Sequence, residues 1–144
     1  MHYAPRNPDY AEVVKASFAR QRMMASLGAE LVSLAPGMVE IAAPIDPAFG
    51  QQHGMAHAGF SFAIGDSAAG YAALSLMPPA HEVLTSEMKI HLLAPAKGER
   101  LIARGEVIRP GKRLVIVRAV IHARTGGTLD HVATLLGTMV PMPL

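Results

Sequence analysis

Asp66 is the residue whose setting most needs a chemical explanation. It stands inside an apolar, proline-free run, HAGFSFAIGDSAAGYAALSL, at residues 57–76. An unpaired charge in such a setting costs several kcal/mol. No Lys or Arg occurs between Arg22 and Lys89, so the run itself supplies no cation. Either the carboxylate caps, pairs or reaches an exposed stripe, or it is kept there for chemistry, and the missing cation favours chemistry. The same run opens with His57-Ala58-Gly59 after a glycine-containing loop. Free backbone N–H groups and the positive end of a helix dipole gather at such a start and can polarise a carbonyl or hold an oxyanion. His57 by itself reads first as a packed or capping side chain. His53 and His57 have the spacing of a metal pair, but Gly54 interrupts a continuous helix and no carboxylate partner lies near, so no metal site is expected. Gln51 and Gln52 before the run, and Thr85 and Ser86 after it, offer amides and hydroxyls that could orient water or a bound substrate. Taken singly, each reads as turn or edge polarity. Lys97, Arg109, Lys112 and Arg113 fall near turns; they read as solvated charges that would also suit a phosphate-bearing ligand.

Elements must position these groups. Residues 9–27 read as an amphipathic helix with Tyr10, Val13, Val14, Ser17, Phe18, Gln21, Met24 and Ala25 on one face, Asp9 as its cap and Gly28 as its stop. Strands are expected at 29–35 and 38–44 about a Pro36-Gly37 turn, followed by an irregular loop over 44–56. The run 57–76 is read as a long helix ended by Pro78-Pro79. Its Gly59, Gly65 and Gly70 are poor helix formers, which points to tight packing that overrides propensity. Strands at 83–94, 99–109, 114–123 and 128–140, separated by Gly-containing turns, read as an antiparallel meander. The expected class is α+β: one domain over 1–144, an antiparallel sheet wrapped around a long central helix, with an amphipathic helix at the N-terminus. A helix wrapped in this way is apolar almost all round.

Composition narrows the function classes. The chain of 144 residues is 51% hydrophobic and 17% charged, more apolar than a typical soluble domain. The only membrane candidate, Gly54 to Met77, carries Asp66 at its centre with glycines and serines around it, a costly arrangement for a span of about 20 residues. A buried helix in a soluble oligomer is expected instead, with no membrane partner. There is no cysteine, hence no disulfide, thiolate nucleophile or zinc-thiolate site. The opening residues MHYAPRNPDYAEV lack the apolar segment of a secretory signal, so the cytoplasm is the expected location. A net charge of +2 with dispersed basic residues does not make a nucleic-acid surface.

Three stretches together carry a resemblance: GQQHGMAHAGFSFAIGDSAAGYAA (50–73), LTSEMKIHLLAPAKGE (84–99) and VIRPGKRL (107–114). From about Phe18 to Met139 the chain resembles the PaaI-type (phenylacetic acid degradation type) hotdog thioesterases. The resemblance implies a hotdog fold, a homodimer often paired into a dimer of dimers, and hydrolysis of acyl-CoA. Coenzyme A would be part of the substrate, with no separate cofactor. It also implies roles. Asp66 matches the family's acidic catalyst and His57 the histidine of its HGG motif. Ala58 falls on the first glycine of that motif, whose amide polarises the thioester carbonyl, and Gly59 on the second. Gln51 falls on an upstream Asn, and Thr85 on a Ser or Thr of the following strand. Substrate or coenzyme A contacts fall at Gly59, at Leu93, Ala94, Pro95 and Lys97, and at Arg109, Gly111, Lys112 and Arg113. Two residues depart from the pattern: Ala58 stands where the family has Gly, which keeps the amide contact at negative φ, and Gln51 stands where it has Asn, with a longer reach.

Spacing adds an argument independent of the family. Ala58 and Asp66 are roughly 12 Å apart along a helix, whereas near-attack contacts are about 3 to 3.5 Å. One thioester cannot touch both on one helix. Two antiparallel helices from two subunits would bring Ala58 of one chain to Asp66 and Thr85 of the other, with Asp66 either activating water or attacking directly. An acyl-CoA-binding hotdog protein without hydrolysis is the alternative of another class. A hotdog dehydratase using His57 is a second enzymatic one. An acyl pocket is expected near Phe60, Phe62, Tyr71 and Met77.

Overall fold

A computed structural model describes residues 2–144. Two short helices, α1 (Tyr10–Arg20) and α2 (Arg22–Ser26), lead into strands β1 (Glu30–Ala35) and β2 (Met38–Pro44). A single 3-10 turn (Pro47–Phe49) precedes the long helix α3 (Ala58–Leu74), and four strands complete the chain: β3 (His81–Leu92), β4 (Arg100–Pro110), β5 (Val115–Thr125) and β6 (Thr128–Pro143). All six strands form one antiparallel sheet in the order β1-β2-β4-β5-β6-β3. Helix α3 packs against β2, β3, β4, β5 and β6.

The sheet strands alternate as a half-buried sheet requires. On β5, Val115, Val117, Ala119, Ile121 and Ala123 are buried while Arg118 between them is exposed. Facing them, α3 presents Ala68, Ala69, Ala72 and Ala73, all at 0% exposure. Small residues on both surfaces bring helix and sheet unusually close. A Cβ added at Gly105 of β4 would lie 2.3 Å from the backbone carbonyl carbon of Ala68. Burial of most of α3 outweighs the poor helix propensity of its three glycines.

Three expectations need correction. The N-terminal helix is not continuous, because Gln21 adopts an extended conformation (φ −81°, ψ 99°) and divides it into α1 and α2. Its side chain turns instead to α3, donating to Tyr71 Oη at 2.9 Å and accepting from Ser67 Oγ at 3.0 Å. Asp9 does not cap α1 with its side chain; Asn7 Oδ1 accepts the Asp9 N–H at 3.0 Å. Gly28 does end the segment, at φ +65°. The last four strands are not one meander. Only β4-β5-β6 follow in sequence, while β3 lies beyond β6 and β4 pairs with β2. The α3 crossover carries the chain from one side of the sheet to the other, so β3 becomes an edge strand rather than the neighbour of β4. No helix among the described residues is long and apolar enough to cross a membrane.

Candidate active site

The start of α3 builds one half of the site. His57 is the N-cap, extended at φ −61°, ψ 143°, and its Nδ1 accepts the Gly59 N–H at 2.8 Å. Its placement is therefore that of a capping side chain. The cap occupies Gly59's amide and leaves the Ala58 N–H without a partner among the described residues. Ala58 lines a cavity of about 640 Å³ together with Gln51, His57, Ser61, Leu93, Ala94 and Pro95. Gln51 Oε1 accepts from the His53 N–H, which leaves its amide nitrogen for a ligand or water. Ser61, 1% exposed, also lines this cavity, and its hydroxyl has no partner among the described residues. Sequence reasoning missed Ser61. The signal was its position one turn after Ala58, on the adjoining face of the helix.

Asp66 builds the other half. It is half-buried, and its Oδ1 accepts from Thr85 Oγ1 at 2.7 Å. A bulge between Thr85 and Glu87 shifts the β3–β6 register beside this contact, the kind of irregularity that re-aims a side chain. None of the ion pairs among the described residues includes Asp66. Burial pushes its carboxyl above the ordinary value of 3.8, and the Thr85 hydrogen bond pulls it partly back. Asp66 opens into a second cavity, of about 300 Å³, with Gln21, Ser67, Gly70, Tyr71, Glu82 and Thr85 among its walls. The Ala58 and Asp66 cavities share no lining residue. One chain therefore does not bring Ala58 and Asp66 together.

The predicted coenzyme A residues divide in the same way. Leu93, Ala94 and Pro95 line the Ala58 cavity, with Lys97 exposed just beyond. Arg109, Gly111, Lys112 and Arg113 lie at the β4–β5 turn. The register Val115↔Met139 and Met139↔Thr85 sets that turn at the Asp66 end of the sheet. The register Leu92↔Ala133 sets the 93–97 segment at the opposite end. From Thr85 to Leu92 an extended strand covers roughly 23 Å. Of the expected acyl-pocket residues, Tyr71 lines the Asp66 cavity. Phe60 instead borders a separate apolar cavity with Phe49 and Met23, and Met77 is in the core at 3% exposure. No group of three or more His, Asp or Glu that could hold a metal is found among the described residues.

Comparison with known proteins agrees with this architecture. Residues 53–129, more than half of the chain, match the thioesterase superfamily. A thioesterase family protein from Silicibacter pomeroyi is 45% identical over 94% of this chain and 99% of its own, with a TM-score of 0.92. The chain belongs to the thioesterase superfamily and has the hotdog fold. The PaaI protein of the E. coli phenylacetic acid degradation operon shares the fold at 20% identity, covering 93% of this chain and 94% of that one, with a TM-score of 0.84. A thioesterase from Haemophilus influenzae does so at 20% identity, covering 89% and 87%, with a TM-score of 0.77. No curated protein matches the sequence.

Proposed function

We propose that this protein is an acyl-CoA thioesterase that works as a homodimer, with Ala58 of one chain and Asp66 of the other serving one thioester. The observation that carries the reading is the pairing of an open Ala58 amide with a cation-free Asp66 on one helix, in two separate cavities. Each half lacks what the other holds. The accessible face of α3 supports the pairing. Ala58 and Gly59 are exposed, Phe62, Ala63, Asp66 and Ser67 are half-buried, and the rest of the helix is buried. These six form one stripe at i, i+4 spacing. Two such stripes laid antiparallel about a two-fold axis put Phe62 near the axis, with Ala58 of each chain against Asp66 of the other. The edge strand β3, with Leu84 and Leu92 about half exposed, lies free to continue the sheet into a second copy.

In this arrangement the thioester carbonyl oxygen accepts the Ala58 N–H, and the positive end of α3 favours the charge that develops on it. Asp66 takes a proton from water as that water adds to the carbonyl carbon. Collapse of the tetrahedral intermediate breaks the C–S bond, and the proton returns to the departing thiolate, giving free acid and coenzyme A. The raised carboxyl of Asp66 brings its basicity closer to neutral pH, where a general base is most effective. The 93–97 segment of one chain and the 109–113 turn of the other would flank the coenzyme. The test is release of free thiol from a panel of acyl-CoA thioesters, with Asp66→Asn as the control. Binding of acyl-CoA without thiol release would replace the reading with that of a non-hydrolytic binder, and an enoyl product with that of a dehydratase.

A further inference from the structure

Ser61 is a buried polar side chain that the proposed mechanism leaves unused. It stands at 1% exposure on α3, one turn beyond Ala58, and lines the same cavity. Its hydroxyl takes part in no hydrogen bond among the described residues. Nor is it sealed in. Among the described residues Arg124 Nε is the one unpartnered side-chain atom cut off from solvent, so Ser61 Oγ opens into the cavity. A buried hydroxyl left unpaired is a cost, and alanine would occupy the position with better helix propensity. The hydroxyl is therefore placed for a partner that enters with the ligand.

The surrounding wall narrows that partner. The Leu93 and Ala94 N–H groups both donate to Val132 O, at 2.8 and 3.3 Å, and Pro95 has no N–H to offer. His57 Nδ1 is taken by the Gly59 N–H. A polar ligand group passing between α3 and this segment thus meets the Ser61 hydroxyl, which can both donate and accept. Ser61 follows Ala58 by three residues, about 4.5 Å along the helix. With the thioester carbonyl on the Ala58 N–H, Ser61 faces the part of the ligand roughly that far beyond it. In a coenzyme A thioester, the sulfur and two methylene groups separate the carbonyl from the first amide of the pantetheine arm, a comparable length. The volumes agree with this direction. The cavity at Ala58, of about 640 Å³, suits the long coenzyme end, and leaves the one beside Asp66, of about 300 Å³, to the acyl group.

We propose that Ser61 binds the first amide of the pantetheine arm and thereby holds the thioester carbonyl at the Ala58 N–H. This rests on the thioesterase reading, since it takes the Ala58 cavity as the coenzyme side of the site. The experiment offers one acyl group, the best of a coenzyme A panel, as three thioesters: of coenzyme A, of N-acetylcysteamine, and of pentanethiol, in which methylene groups replace the amide. Ser61→Ala is expected to lower kcat/KM for the first two by about three- to tenfold, the worth of one net hydrogen bond. The loss should appear mainly in KM, because the amide is remote from the bond that breaks. The pentanethiol thioester should be cleaved equally well by wild type and variant. Alanine is smaller than serine and the better helix former, so Ser61→Ala is expected to keep its Tm, which thermal unfolding checks. An equal loss on all three thioesters would place the hydroxyl on the reacting carbonyl and overturn this inference alone. No loss on any of them would make Ser61 a packing residue and overturn it too. A wild-type protein that hydrolyses none of the panel overturns the functional reading and this inference with it.

Discussion

Asp66 sits where its charge is poorly supported, and two measurable consequences follow. Its folded carboxyl is raised above 3.8, so the folded protein binds that proton more tightly than the unfolded chain does. The stability linked to Asp66 is then fully present below the unfolded value and is lost as pH rises through the raised folded value. Once ionised, the side chain is a net cost, and Asp66→Asn is expected to leave Tm unchanged or higher. The same substitution is expected to lower kcat by about 10²–10⁴, the usual worth of a general base, with little change in KM. Thermal unfolding and steady-state kinetics on one preparation check both; near wild-type turnover would remove Asp66 from the chemistry. In the proposed mechanism the carboxylate is the active form, so kcat is expected to fall on the acid side as pH drops through the raised value. Thr85→Val removes the hydrogen bond that lowers that value, so the acid limb of the kcat–pH profile is expected to move to higher pH. A limb that stays in place would show that Thr85 does not tune Asp66. At this scale the sequence was informative for groups whose oddity is local: a carboxylate in an apolar run, a histidine at a helix start. It was silent on Ser61 and Gln21. Nothing in a serine's neighbours along the chain says that its hydroxyl opens into a cavity, and Gln21 lay on what read as a regular helix face.

Among the elements, the closest approach is that of β4 to α3 at Gly105. Gly105→Ala would place a methyl group 2.3 Å from the Ala68 backbone, with no flexible side-chain end to yield. Overpacking of this kind costs about 1–3 kcal/mol or more, and because it moves α3 it is expected to lower kcat as well as Tm. Gly70→Ala is the contrasting case. Its Cβ would meet Val83 and Met139 only at 3.8 and 3.9 Å, so the fold is expected to hold. Since Gly70 lines the Asp66 cavity, the added methyl should raise KM for bulky acyl groups. A large loss of Tm in Gly70→Ala, or none in Gly105→Ala, would show that the helix–sheet spacing is not set as described. The helices and strands themselves were legible because periodicity and Gly/Pro punctuation are local signals. The placement of β3 beyond β6 was not, because four strands with turns between them read as a meander whichever edge the first one joins. The break at Gln21 escaped for a related reason: its cause is a partner on α3, some fifty residues away in sequence.

For the whole molecule, the proposed two-chain site makes a prediction that no single-chain site can share. His57 is already extended, the conformation demanded of a residue before proline, and Ala58 is the first residue of α3, where proline is well accepted. Ala58→Pro therefore deletes one N–H, the open one, while the helix is expected to remain. That variant alone should lose most of its turnover, as removal of a single oxyanion donor costs about 10²–10³ in kcat. Asp66→Asn alone should lose a comparable amount. When the two inactive proteins are mixed and allowed to exchange subunits, each mixed dimer contains one site in which an intact Ala58 faces an intact Asp66, and one site in which both are damaged. Random exchange makes half of the dimers mixed, so activity should return to about a quarter of the wild-type level. If Ala58 and Asp66 of one chain served the same thioester, mixing would restore nothing. Phe62→Asp, at the centre of the accessible, half-buried stripe of α3, is expected to separate the proposed dimer and abolish turnover together. Light scattering that shows a fully active monomer would overturn the assembly from which the site is built.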